Sequence, residues 1–255
     1  MQKILIFVDQ VSQTPTKDEI DTRREAQEIK NALLTLGYDP ITSFFSLNLE
    51  KNIEILKSEN WALVFNLVET LNSNIMIHIA PLLFELYNMK YSGGHSQALF
   101  ITSDKGYAKK AFIDAKIRTA DYYSKNSKRV SKTLIGRDVI VKPINDEASS
   151  GITDLSIMKF SSAQEIKNYI KFHETLFVEE YIKGKEYNVS VMKIDGKITV
   201  LPIAQMQFID FPASKPKILN YSSKWDEDSF EYKHTSRTFD YSDSSLMIEL
   251  REITQ

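Results

Sequence analysis

Two short, almost unbroken apolar runs, Lys3–Val8 and Ala62–Asn66, constrain the fold more than anything else in the chain. A strand with apolar side chains in succession must be covered on both faces, which happens where helices flank a parallel sheet. The intervening segments carry a helical period. Ile29, Leu33 and Leu36 fall on one face, Gly37 supplies a C-cap, and Thr16 with Glu19 three residues on forms a capping-box pattern at the start. A strand near Asp39–Ser43, a helix near Leu49–Lys57 and a helix over Ile75–Tyr87 extend the alternation. The first 95 or so residues therefore predict an open parallel sheet. Ligands of such sheets lie beyond the carboxyl ends of the strands, which singles out Asp9, Asn66 and Glu69.

From Ser103 the pattern changes. Ser103 is placed to cap a helix over Asp104–Ala115, followed by strands at Thr119–Tyr123, Asp138–Lys142 and Ser156–Phe160. Ser162 and Glu165 form a second capping box, opening a helix that runs to about Phe172. Strands at Thr175–Glu180 and Glu186–Ile194 follow, and Asp195-Gly196 is a hairpin turn into Lys197–Ala204. This half reads as an α+β arrangement with antiparallel sheets. Met206–Asp243 shows no long period, and a helix begins near Ser244 with Leu246, Ile248, Leu250 and Ile253 as its apolar residues.

Composition removes several function classes. The 255 residues carry 32 Lys+Arg against 34 Asp+Glu, a net charge of −2, so no global basic field exists to hold nucleic acid. With no cysteine there is no disulfide, thiol nucleophile or cysteine-rich zinc site. The four histidines, His78, His95, His173 and His234, lack metal-ligand spacing. The longest apolar stretch, around Asn74–Phe84, is interrupted by His78 and Pro81 and reaches roughly half a membrane span. The N-terminus enters a strand directly, without a signal-peptide pattern, so a cytoplasmic protein with neither membrane nor nucleic-acid partner is expected.

Neither a P-loop nor a G-x-G-x-x-G fingerprint is present. Chemistry concentrates elsewhere. In Asp138-Val-Ile-Val-Lys142-Pro143 a lysine is fixed on a strand that proline terminates, and the small loop to Ser149, Ser150 and Gly151 could close over phosphates with its backbone N–H groups. An edge strand followed by a polar turn would read the same way. In Leu176–Val191 one carboxylate, Glu179, stands near a strand end, and another, Glu186, opens the next strand. The first suits an adenine amino edge and the second ribose hydroxyls, although a plain strand connection with solvated acids also fits. Lys105 sits in a first helical turn, where a cation is not electrostatically favoured, and Lys224 in Tyr221-Ser-Ser-Lys224-Trp225 is a second lysine able to seek phosphate.

In this order the segments resemble an ATP-grasp protein of the D-alanine–D-alanine ligase type, from about Trp61 to Trp225. Val64-Phe65-Asn66-Leu67, Tyr91-Ser92-Gly93, Asp104-Lys105, Val141-Lys142-Pro143, the loop Asp146–Gly151, Val178-Glu179 through Gly184-Lys185-Glu186, and Tyr221 to Trp225 each have a counterpart motif in the family. The resemblance implies a pre-ATP-grasp Rossmann-like domain over 1–97, a central ATP-grasp subdomain over 98–174 and a C-terminal subdomain over 175–255. It implies that Lys105 and Lys142 hold ATP phosphates, and that Glu179, Tyr181, Ile182 and Glu186 hold adenosine. Lys224 would approach the γ-phosphate, with Ser149 and Ser150 also catalytic and Asn66 and Glu69 facing substrate.

Two departures qualify this. The run Leu67-Val68-Glu69-Thr70-Leu71-Asn72 replaces the family's His-Gly turn, so D-alanine is not the safe substrate assignment. The chain reaches Gln255 without the downstream Asp and Glu-x-Asn set that binds Mg2+ in the family, so no metal ligand is identified. The expectation is an ATP-dependent carboxylate–amine ligase relative that works through an acylphosphate on a small amino acid or peptide, with a homodimer left open. The alternative is a catalytically incomplete nucleotide-binding protein of regulatory or vestigial role.

Overall fold

The computed structural model describes residues 1–10, 17–71, 74–240 and 244–254, so Thr16 of the first expected capping box lies outside the described residues. Two compact units are distinguished: Met1–Ala111 with Asn145–Glu147, and Phe112–Ile144 with Ala148–Gln255. None of the described helices is long and apolar enough to cross a membrane.

In the first unit, β1 (Lys3–Asp9), α1 (Lys17–Thr35), β2 (Asp39–Phe45), α2 (Leu49–Lys57) and β3 (Leu63–Leu67) build a parallel sheet of order β2-β1-β3. The central strand explains its own composition. Leu5 and Phe7 pack with Phe45, Leu56 and Phe84 on one face, while Ile4, Ile6 and Val8 pack with Ala26 and Leu33 on the other. Phe7, Phe45 and Phe84 form an aromatic cluster with centroids 5.3 to 6.2 Å apart. Gly37 closes α1 at φ 83°, a left-handed conformation that glycine adopts without a Cβ penalty. Leu36, expected on the buried face, lies beyond the last helical residue and is 70% exposed.

The helix expected over Ile75–Tyr87 begins later, as α3 (Ile79–Leu86) after a 3-10 turn at Asn74–Met76. Pro81 sets that start, because a residue without an N–H is tolerated only in the first turn. A helix absent from the sequence reading, α4 (Ser96–Thr102), follows. Ser103 therefore ends α4 instead of capping the next helix, and its hydroxyl donates to the Phe100 carbonyl. The cap of α5 (Lys105–Asp114) is Asp104, whose carboxylate accepts from the N–H groups of Gly106 and Tyr107 at 2.7 and 3.0 Å.

In the second unit, β4 (Tyr122–Tyr123), β5 (Asp138–Pro143), β6 (Ile157–Lys159), α6 (Ala163–Phe172) and β7 (Leu176–Glu180) make an antiparallel sheet of order β4-β7-β5-β6 with one helix on it. The Ser162 hydroxyl caps α6 by accepting from the Glu165 N–H at 3.2 Å, and the Glu165 carboxylate returns to Ser161. The strand expected over Glu186–Ile194 divides into β8 (Tyr187–Asn188) and β9 (Val191–Ile194). Its partner divides likewise into β10 (Lys197–Val200) and β11 (Ala204–Phe208). Asp195 and Gly196, at φ 49° and 79°, form the turn between β9 and β10. The stretch without period contains α7 (Tyr221–Trp225), α8 (Phe230–Lys233) and β12 (Thr235–Thr238), and β12 completes a sheet of order β12-β11-β8. The terminal helix, α9 (Ser244–Thr254), buries Met247 and leaves Ile248 and Ile253 exposed.

Two tests follow from the first unit. Phe84→Ala removes a ring of 0% exposure from the aromatic cluster and should lower unfolding free energy by about 3–5 kcal/mol in urea titration. Glu85 accepts hydrogen bonds from the Tyr91 hydroxyl (2.6 Å) and from the Ser96 N–H and hydroxyl (2.9 and 2.6 Å). The Ser96 and Tyr91 donors hold its carboxyl down at about 2, and burial together with Glu85 pushes the Tyr91 phenol up to about 12. A depressed carboxyl stabilises the fold above its ordinary value of 4.5, and that contribution is lost as pH falls towards 2. A raised phenol does the reverse, its contribution being lost between pH 10 and 12. Stability measured from pH 5 to 2 should fall less steeply in Glu85→Gln than in the parent, and equal slopes would refute the assignment.

Candidate nucleotide site

The two faces of β5 and β7 divide the work: one packs the core and the other builds the site. Val139, Val141 and Val178 point into the core with Leu134, Ile166 and Ile170. Strand alternation turns the residues between them to the opposite face, so Ile140, Lys142 and Glu179 line a cavity of about 380 Å³. In register, Ile140 lies opposite Glu179 and Lys142 opposite Phe177. The Lys142 ammonium contacts the Glu179 carboxylate at 2.5 Å and lies 5.6 Å from the centre of the Phe177 ring. Glu179 is 8% exposed, and a carboxylate at that depth needs a charged or hydrogen-bonding partner.

Beyond β7 the chain adds Glu180, Tyr181 and Ile182 to the wall and then Glu186 at the entry to β8. The Tyr181 N–H bonds the Asp138 carbonyl at 3.2 Å, which ties this connection to the start of β5. Burial raises the Glu186 carboxyl above its ordinary value, against a hydrogen bond from the Leu219 backbone and the charges of Lys224 and Lys142. Burial likewise raises the Tyr181 phenol.

The remaining wall comes from two segments joined to one another. Ala148, Ser149 and Gly151 have φ of 53°, 63° and 69°, so three residues of one short loop are left-handed. A Cβ at Gly151 would stand 3.0 Å from Pro143 Cγ as well as being strained. The loop is held by hydrogen bonds from the Ser149 hydroxyl to the Leu219 carbonyl (2.6 Å), from Trp225 Nε1 to the Ala148 carbonyl (3.0 Å) and from the Tyr221 N–H to the Ile152 carbonyl (3.0 Å). Asn220, 4% exposed, caps α7 through the Ser223 N–H and also donates to Asp154, fixing the helix that carries Lys224.

Of the residues singled out in the sequence, Lys142, Ser149, Glu179, Tyr181, Ile182, Glu186 and Lys224 all line this cavity, and Ser150 does not. The other four belong to the first unit. Lys105 donates to the Asp146 carbonyl and lies 3.9 Å from the Glu147 carboxylate. The Asn66 side-chain oxygen accepts from the Val68 N–H at 3.3 Å, and its backbone N–H donates to the Ser92 hydroxyl at 3.0 Å. Glu69 is raised by burial and by Glu25, Asp9 and Asp21 around it, while Thr22 donates to it at 3.3 Å. Asp9, at a strand end, is taken up structurally: its carboxylate accepts the N–H groups of Glu69, Thr70 and Leu71 at 2.7 to 3.2 Å.

Sequence reasoning missed the apolar walls, Ala120, Ile140, Ile152, Ile218 and Leu219. Ile140 was recoverable from alternation along β5. Ile218 and Leu219 lie in an irregular segment that gives no such signal. For metal, the described residues bring together no group of three or more histidines, aspartates or glutamates able to hold an ion.

Residues 101–242 match the family model described as D-ala D-ala ligase C-terminus. A D-alanine--D-alanine ligase of Pelobacter propionicus is 31% identical over 136 residues, covering 51% of this chain and 43% of that protein. The match to the Pelagibacter ubique D-alanine--D-alanine ligase is 27% identical over 224 residues, 83% of this chain and 68% of that protein. The chain thus spans less than half of the first relative in its match. Among solved structures, the D-alanine--D-alanine ligase of Bacillus anthracis superposes on the whole chain with a TM-score of 0.67 at 19% identity, over 77% of its own length. That likeness is one of fold. With a family match over more than half its residues, the chain belongs to the D-alanine–D-alanine ligase C-terminal family and is an ATP-grasp protein.

Proposed function

We propose that this chain binds ATP in the β5–β7 cavity and serves an ATP-dependent carboxylate–amine ligase acting on a small amino acid or peptide. The observation that carries the reading is the gathering of Lys142, Lys224, Glu179 and Glu186 around one cavity from separate stretches of sequence. Ammonium cations and buried carboxylate acceptors lining one cavity suit a ligand that carries phosphates together with hydroxyl and amino donors. Residues 1–97 would serve as the pre-ATP-grasp domain, 98–174 as the central subdomain and 175–255 as the C-terminal one.

In this reading Lys142 exchanges the Glu179 carboxylate for phosphate oxygens. Glu179 is then free to accept from the adenine amino group, beside the Tyr181–Ile182 backbone. Glu186 accepts from ribose hydroxyls, and its burial makes each such bond stronger than in water. The loop carrying Ser149 and Ser150 covers the phosphates, and Lys224 steadies the γ-phosphoryl group. The roles of Lys105 toward phosphate and of Asn66 and Glu69 toward substrate rest on the family resemblance alone. A substrate carboxylate oxygen attacks the γ-phosphorus and ADP leaves, giving an acylphosphate. An amine then attacks the carbonyl carbon, loses a proton and expels phosphate.

The carboxylates of the cavity do not suit a magnesium site: in this reading Glu179 and Glu186 serve the adenosine end of the ligand, and the described residues form no three-ligand set. No step is therefore routed through the ion.

Two measurements test the reading. Lys142→Met should weaken ATP binding by about 1–3 kcal/mol in calorimetry, the scale of a lost charge-assisted contact, and unchanged affinity would reject the assignment. Incubation with ATP, magnesium, candidate amino acids and hydroxylamine should trap an acyl hydroxamate. Tight ATP binding with neither hydroxamate nor phosphate release would instead favour a nucleotide-binding role without turnover.

A further inference from the structure

Lys224 rides on α7, a helix of five residues. A helix that short has no stability of its own in water, so whatever aims the lysine must come from the tertiary bonds that hold the helix. Those bonds converge on one carboxylate. Asp154 opens the 3-10 turn just after the loop that carries Ser149. Its Oδ1 accepts from the Asn220 side-chain amide at 3.0 Å and its Oδ2 from the Lys215 ammonium. Asn220 in turn accepts from the Ser223 N–H and hydroxyl at 2.9 and 2.8 Å, which caps α7 next to Lys224.

A second arm closes a ring. Lys215 also contacts Glu231 of α8 at 2.5 Å, with side chains only 17% and 18% exposed, where salt screens little. Helix α8 is bound back to α7, its capping residue Ser229 donating to the Ser222 carbonyl at 3.1 Å. Thus α7 is braced twice, through Asn220 at its cap and through α8, and both braces end on Asp154. None of Asp154, Lys215, Asn220 and Glu231 lines the nucleotide cavity. The ring can act on a ligand only through the groups it holds, Lys224 among them.

We propose that Asp154 is a positioning residue, which fixes α7 so that the Lys224 ammonium meets the terminal phosphate of ATP. The inference rests on the nucleotide reading, in which Lys224 steadies the γ-phosphoryl group. A carboxylate is what the position needs. It accepts in two directions at once, from an amide and from an ammonium, where an asparagine would turn its N–H donors on one of them. Lysine reaches its anion along a long, flexible stem, so a small rotation of the short helix beneath it carries the ammonium away and the attraction falls.

ADP lacks the terminal phosphate, and that separates aiming from folding. The test is calorimetric titration of the 255-residue chain with ATP and, separately, with ADP. Lys224→Met should lower ATP affinity about tenfold and change ADP affinity by less than about twofold. Asn220→Asp keeps the α7 cap but sets two carboxylates against each other, and it should reproduce the selective loss, by about threefold or more. Adding Asp154→Asn restores the link with donor and acceptor exchanged. The new amide donates to the new carboxylate while its oxygen faces Lys215, and ATP affinity should return to within about twofold of the parent. Circular dichroism melting of each variant checks that the fold persists. If Asn220→Asp does not fold, Asp154→Asn alone, which turns a donor on Lys215 or Asn220, carries the same expectation. ATP and ADP affinities that fall together, an unmoved ATP affinity in Asn220→Asp, or a folded double variant that does not recover would each overturn the proposal and leave the nucleotide reading standing. Lys224→Met without a selective loss would overturn it too, by removing the contact that is aimed. A parent chain that binds neither nucleotide would reject the nucleotide reading and the proposal with it.

Discussion

The antiparallel pairing of β5 with β7 is the constraint on which the candidate site depends. Val139, Val141 and Val178 must face α6 for the second unit to have a core. Because a strand alternates, that demand alone sends Lys142 and Glu179 to the other side. A slip of one residue in either strand would bury an ammonium or a carboxylate among Leu134, Ile166 and Ile170. The chemistry of the cavity is thus enforced by packing, and the charged residues need not supply stability of their own.

The same strands set the electrical character of the cavity. Lys142 and Glu179 compensate one another in a place where either alone would be costly. Among the described residues Glu186 has no ion-pair partner of this kind, and burial outweighs the lysines in lifting its carboxyl. A ligand rich in hydrogen-bond donors therefore meets one carboxylate already committed and one only partly compensated.

The fold was legible wherever local pattern and tertiary demand agreed. The apolar runs of β1 and β3 announced a doubly covered sheet, and Asp195-Gly196 announced its turn because both positions need positive φ. The sequence misled where two local solutions competed. Ser103 and Asp104 are both good caps, and only the presence of α4 assigns the serine to a C-terminus. Lys105, read as a cation drawn to an anion, rests in the structure against the Asp146 carbonyl and the Glu147 carboxylate. The segment from Ile218 to Trp225 was opaque for another reason. Its order comes from long-range hydrogen bonds to Ala148, Ser149, Ile152 and Asp154, partners some 70 residues away that no periodicity can reveal.

The left-handed backbone at Ala148 and Ser149 has a further consequence. Neither residue is glycine, so each is held in a conformation that costs about 1 kcal/mol, and the tethers from Ser149, Trp225 and Tyr221 must offset it. Loosening the tethers releases that strain, which brings the tethered and released forms of the loop closer in free energy than the hydrogen bonds alone would suggest. Once released, the Ser149 hydroxyl needs another acceptor in place of the Leu219 carbonyl, while the Ala148 and Ile152 carbonyls need other donors in place of Trp225 and Tyr221. An all-glycine version would rest more comfortably and respond less.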